Sequence, residues 1–208
     1  MSTKAEHAEL NKQKWDRRSE TYDEKRFSFF RFFQQRVISL MPLRESDCVL
    51  DIGCGTGWAV RYMAGRLQDG GQAYGVDISD KMIEKAVTAS SDLGNVHFQP
   101  ADAEELPFEG DFFNSIICTN SFHHYKNPVR VLEEINRVLK LEGRVYLMDP
   151  TADGFLVRRL DKRFRRKERE HVKFYSSYEY RLLFQKANLR YIRSRLIVPL
   201  MKVHIAEK

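Results

Sequence analysis

The sequence predicts an α/β protein: a doubly wound, mostly parallel sheet of seven strands, with helices on both faces and a closing antiparallel hairpin. Three observations support this prediction. Five short runs rich in apolar and β-branched residues alternate with helical stretches between residues 48 and 149. A loop with three alternating glycines follows the first run, at residues 53–57. Two more strand-like runs close the chain, with a proline and no helix between them.

The elements follow in order from local patterns. Two helices are expected first, over residues 3–24 and 27–41, and Pro42 ends the second. The parallel strands are expected at 48–52, 73–78, 96–99, 114–120 and 144–149. Helices connect them, and several helix starts carry typical capping residues: Ser79, Asn127 followed by Pro128, and Ser176 in the capping box SSYE.

Length and composition limit the classes of protein to which the chain can belong. With 208 residues, of which 42% are hydrophobic and 31% charged, it predicts one folded domain. No apolar run reaches the about 18 residues of a membrane-spanning helix, and the first residues lack the apolar core of a signal peptide. Cys48, Cys54 and Cys118 form no CxxC pair and predict reduced, mainly structural thiols in a cytoplasmic protein. The net charge of +6 permits an anionic partner without requiring one.

The segment VLDIGCGTGWAV, residues 49–60, predicts a strand that turns into a helix around a ligand. A phosphate-binding P-loop is excluded because no Lys-Ser/Thr pair follows Gly57. The dinucleotide pattern GxGxxG also fails, because Trp58 stands where the third glycine must lie, and the shifted frame places Val60 there. What remains is GxGxG, with Asp51 two positions before the first glycine.

This motif and those that follow it resemble the motifs of class I S-adenosylmethionine-dependent methyltransferases. The resemblance covers residues 45–206 and includes GVDIS after the glycine loop, QPADAEELPF (99–108), NSIICTNSFHHYKNP (114–128) and GRVYLMDP (143–150). Within the class, the pattern is similar to the small-molecule branch typified by the ubiquinone and menaquinone-biosynthesis methyltransferases. It implies a Rossmann-like sheet, S-adenosyl-L-methionine as cofactor and S-adenosyl-L-homocysteine as product.

The resemblance also implies roles for individual residues. Asp77 would accept hydrogen bonds from the ribose hydroxyls, Asp102 from the adenine amino group, and Asp51 would face the cofactor's ammonium group. Asp77 and Asp102 also have structural alternatives, as a helix cap and a loop residue. Tyr22 either reaches the methionine carboxylate or packs within its helix, and Cys54 is expected to fill the loop without acting as a nucleophile. The predicted cofactor-binding residues are Tyr22, Asp51, Gly53, Cys54, Gly55, Gly57, Asp77, Ile78, Asp102, Ala103, Thr119 and Asn120.

Two adjacent histidines, His123 and His124, follow the fourth strand. Either could act as a general base on the methyl acceptor, or orient it. Neighbouring side chains of an extended chain point in opposite directions, so the sequence predicts that at most one of them faces the pocket. We take His124 as that residue and as the candidate catalytic base. A metal site is not expected, because the pair has no further ligands nearby.

A basic stretch follows the fifth strand, at residues 158–173. Leu156, Leu160 and Phe164 recur every four residues and predict a helix with an apolar stripe and a basic face. The basic face indicates a solvated lid, a gate for an anionic substrate, a nucleic-acid contact or a contact with a membrane surface. No NPPY or DPPY motif follows the fourth strand and no aromatic residues are interleaved with the cations, which argues against nucleic acid.

Together the patterns predict methyl transfer from S-adenosylmethionine to a small-molecule acceptor by in-line displacement, with alignment supplying most of the acceleration. We expect one domain with four parts: an N-terminal helical lid (1–44), a cofactor-binding core (45–150), a substrate cap (151–175), and a closing helix and hairpin (176–208). The alternatives are a cofactor-binding module without transferase activity, a methyltransferase of macromolecules, and a nicotinamide-dependent oxidoreductase. The motifs specify neither the acceptor nor the oligomeric state.

Overall fold

The computed structural model describes residues 4–20, 28–168 and 171–208, which form one seven-stranded sheet flanked by helices. The strands are β1 (Cys48–Ile52), β2 (Gln72–Asp77), β3 (Val96–Pro100), β4 (Phe113–Thr119), β5 (Leu139–Pro150), β6 (Arg190–Val198) and β7 (Met201–Glu207). The helices are α1 (Lys4–Glu20), α2 (Ser28–Ile38), α3 (Trp58–Ala64), α4 (Asp80–Thr88), α5 (Pro128–Val138), α6 (Phe155–Lys167) and α7 (Ser177–Lys186), and a 3₁₀ turn spans Phe122–His124. None of these helices combines the length and apolar character needed to cross a membrane.

The strand order is β3-β2-β1-β4-β5-β7-β6, with β1 to β5 parallel and β7 antiparallel to both of its neighbours. The predicted doubly wound sheet with a closing hairpin is confirmed. The order reverses at β1, so the loops after β1, β2 and β4 leave the sheet at one carboxyl edge. That edge is where open α/β sheets bind their ligands.

The core lies on both faces of the sheet, because alternate residues of the central strands point to opposite sides. Leu50 of β1 and Ile116 of β4 belong to the layer covered by α5 and α7. Val49 and Ile117, one position away on each strand, belong to the layer covered by α2 and α3. All four side chains are fully buried, so the central strands are fixed from both sides.

The helix starts show which local predictions hold. Ser79 caps α4 by accepting a hydrogen bond from a backbone N–H three residues later, and Ser176 and Glu179 form the predicted capping box of α7. Asn127 occupies the cap position of α5, but its side chain makes no capping bond. It donates instead to Glu104 Oε2 at 2.9 Å, because a tertiary contact with the loop after β3 is within its reach.

Helix α6 forms within the predicted basic segment, but its buried stripe differs from the predicted one. Leu156 is 53% exposed, whereas Val157 and Asp161 are buried and Leu160 and Phe164 are half-buried. Asp161 faces inward because tertiary hydrogen bonds hold its carboxylate. This contact sets the rotation of the helix about its axis.

The hairpin of β6 and β7 turns at Pro199 and Leu200. Strand β7 pairs with β5 so that Met201 lies opposite Pro150, and the Thr151 N–H donates to the Leu200 carbonyl at 2.9 Å. The turn therefore lies beside the end of β5, at the same edge of the sheet as the glycine loop.

Helix α5 holds the loop that follows β3. The buried Glu134 accepts a hydrogen bond from the Leu106 N–H at 2.9 Å and pairs with the Arg137 guanidinium at 2.6 Å. Arg137 also donates to the Leu106 carbonyl, and Arg130 donates to the Glu104 carbonyl. Three side chains of one helix thus fix the loop just after Asp102 and Ala103.

We expect Glu134→Gln to lower the free energy of unfolding by about 1–2 kcal/mol, because it weakens charge-assisted hydrogen bonds around a buried acceptor. The matched variant Glu133→Gln alters a half-exposed ion pair with Arg130 and is expected to cost less than about 0.5 kcal/mol. Urea unfolding followed by circular dichroism measures both variants.

The effect of Glu134→Gln should depend on pH. The hydrogen bond from Arg137 lowers the pKa of Glu134. A lowered carboxyl pKa stabilises the fold above the pKa of the unfolded state, and this contribution is lost as the pH falls through the folded-state pKa. The difference between wild type and variant should therefore shrink in acid, and a difference that stays constant from neutral to acidic pH would contradict this assignment.

Candidate active site

A cavity of about 580 Å³ opens at the carboxyl edge of the parallel strands, within the range of about 300–1,000 Å³ that is typical of small-molecule sites. The loops after β1, β2 and β3 build one half. The other half is built by α1, α2, the turn after β4, α6 with the residues that follow it, and the β6–β7 turn. The two halves meet at residues 119–121, where β4 ends.

The glycine loop begins with Gly53, whose backbone φ of +74° is left-handed. A Cβ atom on Gly53 would lie 2.3 Å from Ser121 Oγ, so no side chain fits between the loops after β1 and β4. The Gly53 N–H donates to the Val76 carbonyl of β2 at 2.8 Å. Glycine is therefore required here by the packing of the loops, whatever ligand binds.

Gly55 lines the cavity, and a Cβ atom on it would meet no other atom within 4 Å. Its N–H donates to Asp77 Oδ2 at 2.9 Å, and the Ser79 N–H donates to Asp77 Oδ1 at 3.0 Å. Asp77 thus joins the glycine loop to the start of α4, and it also lines the cavity beside Ile78. Burial raises the pKa of Asp77 against the opposing effect of these N–H donors.

Asp51 lies in β1 just before the loop and is fully buried. Neither of its carboxylate oxygens has a hydrogen-bond partner among the residues that the structure describes. Burial, followed by the charge of Asp77, raises the pKa of Asp51 well above its usual range. Because buried carboxylates are normally paired, this one fits a site that receives a cationic group such as an ammonium.

The loop after β3 presents Asp102 and Ala103 to the cavity. Asp102 Oδ1 accepts the Glu104 N–H at 2.9 Å, so this carboxylate shapes its own loop as well as lining the cavity. At the end of β4, Thr119 Oγ1 accepts a hydrogen bond from Gln34 of α2 at 3.0 Å. This bond holds α2 against the end of β4, where the two halves of the cavity meet.

The buried carboxylate of Asp149, at the end of β5, holds His123 by two hydrogen bonds. Asp149 Oδ1 accepts from His123 Nδ1 at 2.8 Å, and Asp149 Oδ2 accepts from the His123 backbone N–H at 3.0 Å. Burial raises the pKa of Asp149 well above its usual range; with Asp149 ionised, the bond would place the ring proton of His123 on Nδ1 and leave Nε2 as an acceptor. Burial, followed by the neighbouring His171, lowers the pKa of His123 to about 3, so the ring is neutral at neutral pH.

Both histidines line the cavity, so the prediction that at most one of them faces it is wrong. The segment is a 3₁₀ turn and not an extended chain, and the two rings lie 4.0 Å apart. The ring of His124 packs edge-on against Trp15 of α1, and its carbonyl accepts hydrogen bonds from His7 and Asn11. The carboxylate partner belongs to His123, whereas the predicted base lies at the contact with α1.

A second Asp-His pair lies at the far end of the cavity. His171 Nε2 donates to Asp161 Oδ1 at 2.9 Å, and the Phe174 N–H donates to the same oxygen at 2.7 Å. The centre of the His171 ring lies 5.4 Å from that of His123 and 4.5 Å from that of Phe174. The cavity wall includes apolar side chains and a few charged ones; the apolar ones are Trp15, Phe33, Val157, Leu160, Phe164 and Phe174, and the charged ones include Arg18, Arg31, Lys126 and Glu168.

The cavity brings together ten of the residues predicted from the sequence: Gly53, Cys54, Gly55, Asp77, Ile78, Asp102, Ala103, Thr119, Asn120 and His124. Asp51 is buried behind the loop, and Gly57 packs towards Phe98 of β3; neither belongs to the cavity wall. Burial raises the pKa of the Cys54 thiol well above its usual range. This agrees with a side chain that fills space in the glycine loop and does not act as a nucleophile. Tyr22 lies outside the described residues. The role of each residue in binding stays a prediction.

Sequence reasoning missed the pairing of His123 with Asp149, the contribution of Gln34, and the β6–β7 turn. A signal for Asp149 was present, because it closes the fifth strand and the carboxyl ends of parallel strands meet at the ligand edge. The turn carried no comparable signal, since only the pairing of β7 with β5 brings it to this edge.

Comparison with known proteins agrees with this geometry. Residues 22–194 match the sequence model of a family described as a methyltransferase domain. The uncharacterised methyltransferase YcgJ of Bacillus subtilis is 33% identical over 159 residues, which are 74% of this chain and 62% of that protein. Its crystal structure has a TM-score of 0.71 at 30% identity and covers 79% of this chain and 70% of its own.

Two further relatives extend the comparison. A demethylmenaquinone methyltransferase of Staphylococcus aureus is 30% identical over 133 residues, 62% of this chain and 55% of that protein. A SAM-dependent methyltransferase from Aquifex aeolicus shares the fold with a TM-score of 0.70 at 21% identity, covering 100% of this chain and 99% of the other. The chain spans between 41% and 62% of the length of the first curated relatives that it matches. The resemblance seen in the motifs is confirmed: the chain belongs to the methyltransferase domain family and has the fold of S-adenosylmethionine-dependent methyltransferases.

Proposed function

We propose that the chain transfers the methyl group of S-adenosylmethionine, in line, to a small-molecule acceptor that bears an acidic hydroxyl or an enol. The observation that carries the proposal is the continuity of the cavity, which runs from Gly55 and Asp77 past residues 119–121 to His123. Donor and acceptor can therefore lie side by side in one cavity, where alignment supplies most of the acceleration.

The donor half offers groups that match the parts of S-adenosylmethionine, which when bound supplies an electrophilic methyl group on a sulfonium. The open space at Gly55 admits the methionine part without a Cβ clash. Asp51, whose carboxylate has no hydrogen-bond partner among the described residues, lies behind the glycine loop, and its charge would act on an ammonium group without direct contact. In this proposal Asp77 accepts hydrogen bonds from the ribose hydroxyls, and Asp102 with the Ala103 N–H binds the adenine.

In the acceptor half, we assign proton transfer to His123. Its Nε2 accepts the proton of the acceptor hydroxyl, and Asp149 acts as a positioning residue that fixes the ring and its Nδ1 proton. Because burial lowers the pKa of His123 to about 3, the ring is a weak base. It can take a proton only from a hydroxyl that is acidic or becomes so during transfer, which favours phenols and enols over aliphatic alcohols.

Two alternatives are less well supported by the cavity. A cofactor-binding module without transferase activity has no use for the imidazole and aromatic wall beyond β4. A macromolecular acceptor needs open access, whereas α1 covers the turn after β4 through His7 and Asn11. The names of relatives include a 27-O-demethylrifamycin SV and a demethylmenaquinone methyltransferase, which supports an acceptor that is a small molecule. A cytoplasmic location, also proposed, is supported by the three free cysteines.

The donor site is tested by Gly55→Ala. We expect at least about tenfold weaker binding of S-adenosylhomocysteine in isothermal titration calorimetry, because the added methyl group enters the cavity. The matched control is Gly70→Ala, since Gly70 also has a positive φ and open surroundings but lies away from the cavity. Both variants should lose about 1 kcal/mol of stability through backbone strain. Equal affinities for the ligand would contradict the proposed donor site.

The acceptor site is tested by His123→Asn, which keeps an N–H donor for Asp149 and removes Nε2. We expect about 100-fold slower methyl transfer with unchanged affinity for S-adenosylhomocysteine. The assay measures release of S-adenosylhomocysteine with a panel of phenolic, enolic and amine acceptors. The matched control His124→Asn is expected to retain most of the activity. If His124→Asn instead lost more activity than His123→Asn, His124 would be the base.

The pH dependence of the rate gives an independent check on His123. Since its pKa is lowered to about 3, the ring stays neutral in mildly acidic solution. We therefore expect no decline of the rate near pH 6.5, where an ordinary histidine titrates. A decline there that His123→Asn abolishes would show that the ring is protonated near neutral pH and would contradict the weak-base assignment.

A further inference from the structure

The outward side of α6 carries a stripe of cations. The helical repeat places Phe155, Arg159, Lys162 and Arg166 on the side opposite the buried Val157. We define the basic face as Arg159, Lys162 and Arg166 of this side together with the neighbouring exposed cations Arg163 and Lys167.

The five cations of the basic face make no hydrogen bond or ion pair with other residues in the part of the chain that the structure describes. The remaining two cations of the helix differ, because Arg158 donates to the Ala152 carbonyl at 2.9 Å and Arg165 pairs with Asp161 at 2.6 Å. Five like charges on neighbouring turns repel one another, and an anionic partner would remove that repulsion.

Exposed apolar side chains lie next to the basic face. At the first turn of α6, Phe155 is 76% exposed and Leu156 is 53% exposed. Leu200 is 42% exposed, and its carbonyl accepts the N–H of Thr151, four residues before Phe155. Leu200 also lines the cavity, as does Phe29, which is 64% exposed. Exposed apolar side chains therefore form part of the cavity wall, and one of them, Leu200, lies close to the start of α6.

We propose that the basic face docks the protein on an anionic lipid surface, with Phe155, Leu156 and Leu200 entering the headgroup layer. Cations beside exposed apolar side chains are typical of helices that lie in the membrane interface, and anionic lipids attract each Lys or Arg near the surface. A nucleic acid would complement the cations alone, whereas a lipid surface complements the apolar side chains too. Docking requires no methyl transfer and is independent of the proposed function.

Vesicle co-sedimentation of the full chain tests this proposal. We expect binding to vesicles of equimolar phosphatidylcholine and phosphatidylglycerol, at least about tenfold weaker binding to phosphatidylcholine alone, and loss of binding at high salt. The variant R159Q/K162Q/R166Q should lose at least about tenfold in affinity for the anionic vesicles. The matched control R44Q/R66Q/K186Q removes the same charge from exposed positions off α6 and should bind like wild type. Equal loss of vesicle affinity in both variants would show that net charge alone accounts for binding, and it would overturn the proposal.

The variant F155S/L156S keeps every cation and separates a lipid surface from other anions. We expect it to bind anionic vesicles at least about tenfold more weakly and to bind a short DNA duplex as wild type does. Vesicle binding that F155S/L156S leaves unchanged, or tighter binding of wild type to the duplex than to vesicles at the same salt, would overturn the proposal in favour of a polyanion surface. Affinity for S-adenosylhomocysteine should be the same in all these variants, which keeps this test apart from that of the proposed function.

Discussion

The ligand edge of the sheet depends on the carboxylate of Asp77. It accepts the N–H groups of Gly55 and Ser79 and so ties the glycine loop to the first turn of α4. With the loop held there, Gly53 lies so close to Ser121 that even a methyl group on Gly53 would collide. The loops after β1 and β4 are thus kept in contact on one side of the glycine loop, and the open space at Gly55 lies on the other.

The same turn of α4 also anchors α1. Asp16 accepts a hydrogen bond from Ser79 Oγ at 2.5 Å, and Lys12 pairs with Asp80 at 2.6 Å. Elsewhere α1 contacts the turn after β4, so one helix spans both halves of the cavity. Helix α1 therefore ties the donor half of the cavity to the acceptor half.

The features that the sequence predicted correctly depend on short-range backbone chemistry. The cap at Ser79 and the capping box of α7 are each set within a few residues, and the alternation of strands and helices fixed the sheet. The features it missed depend on tertiary contacts. Leu156 is exposed because Asp161 turns its side of α6 inward towards residues that follow the helix. His123 receives a carboxylate because a 3₁₀ turn brings it to Asp149, 26 residues away, and no local pattern encodes that distance.

The two halves of the cavity differ in their electrostatics. On the donor side, burial raises the pKa values of Asp51 and Asp77, so these carboxylates are costly to ionise until a cation binds beside them. On the acceptor side, burial keeps His123 neutral, and the basic face points away from the cavity. Under the proposed function, a cationic methyl donor would therefore meet the carboxylate of Asp77 where it binds and the neutral ring of His123 where it reacts.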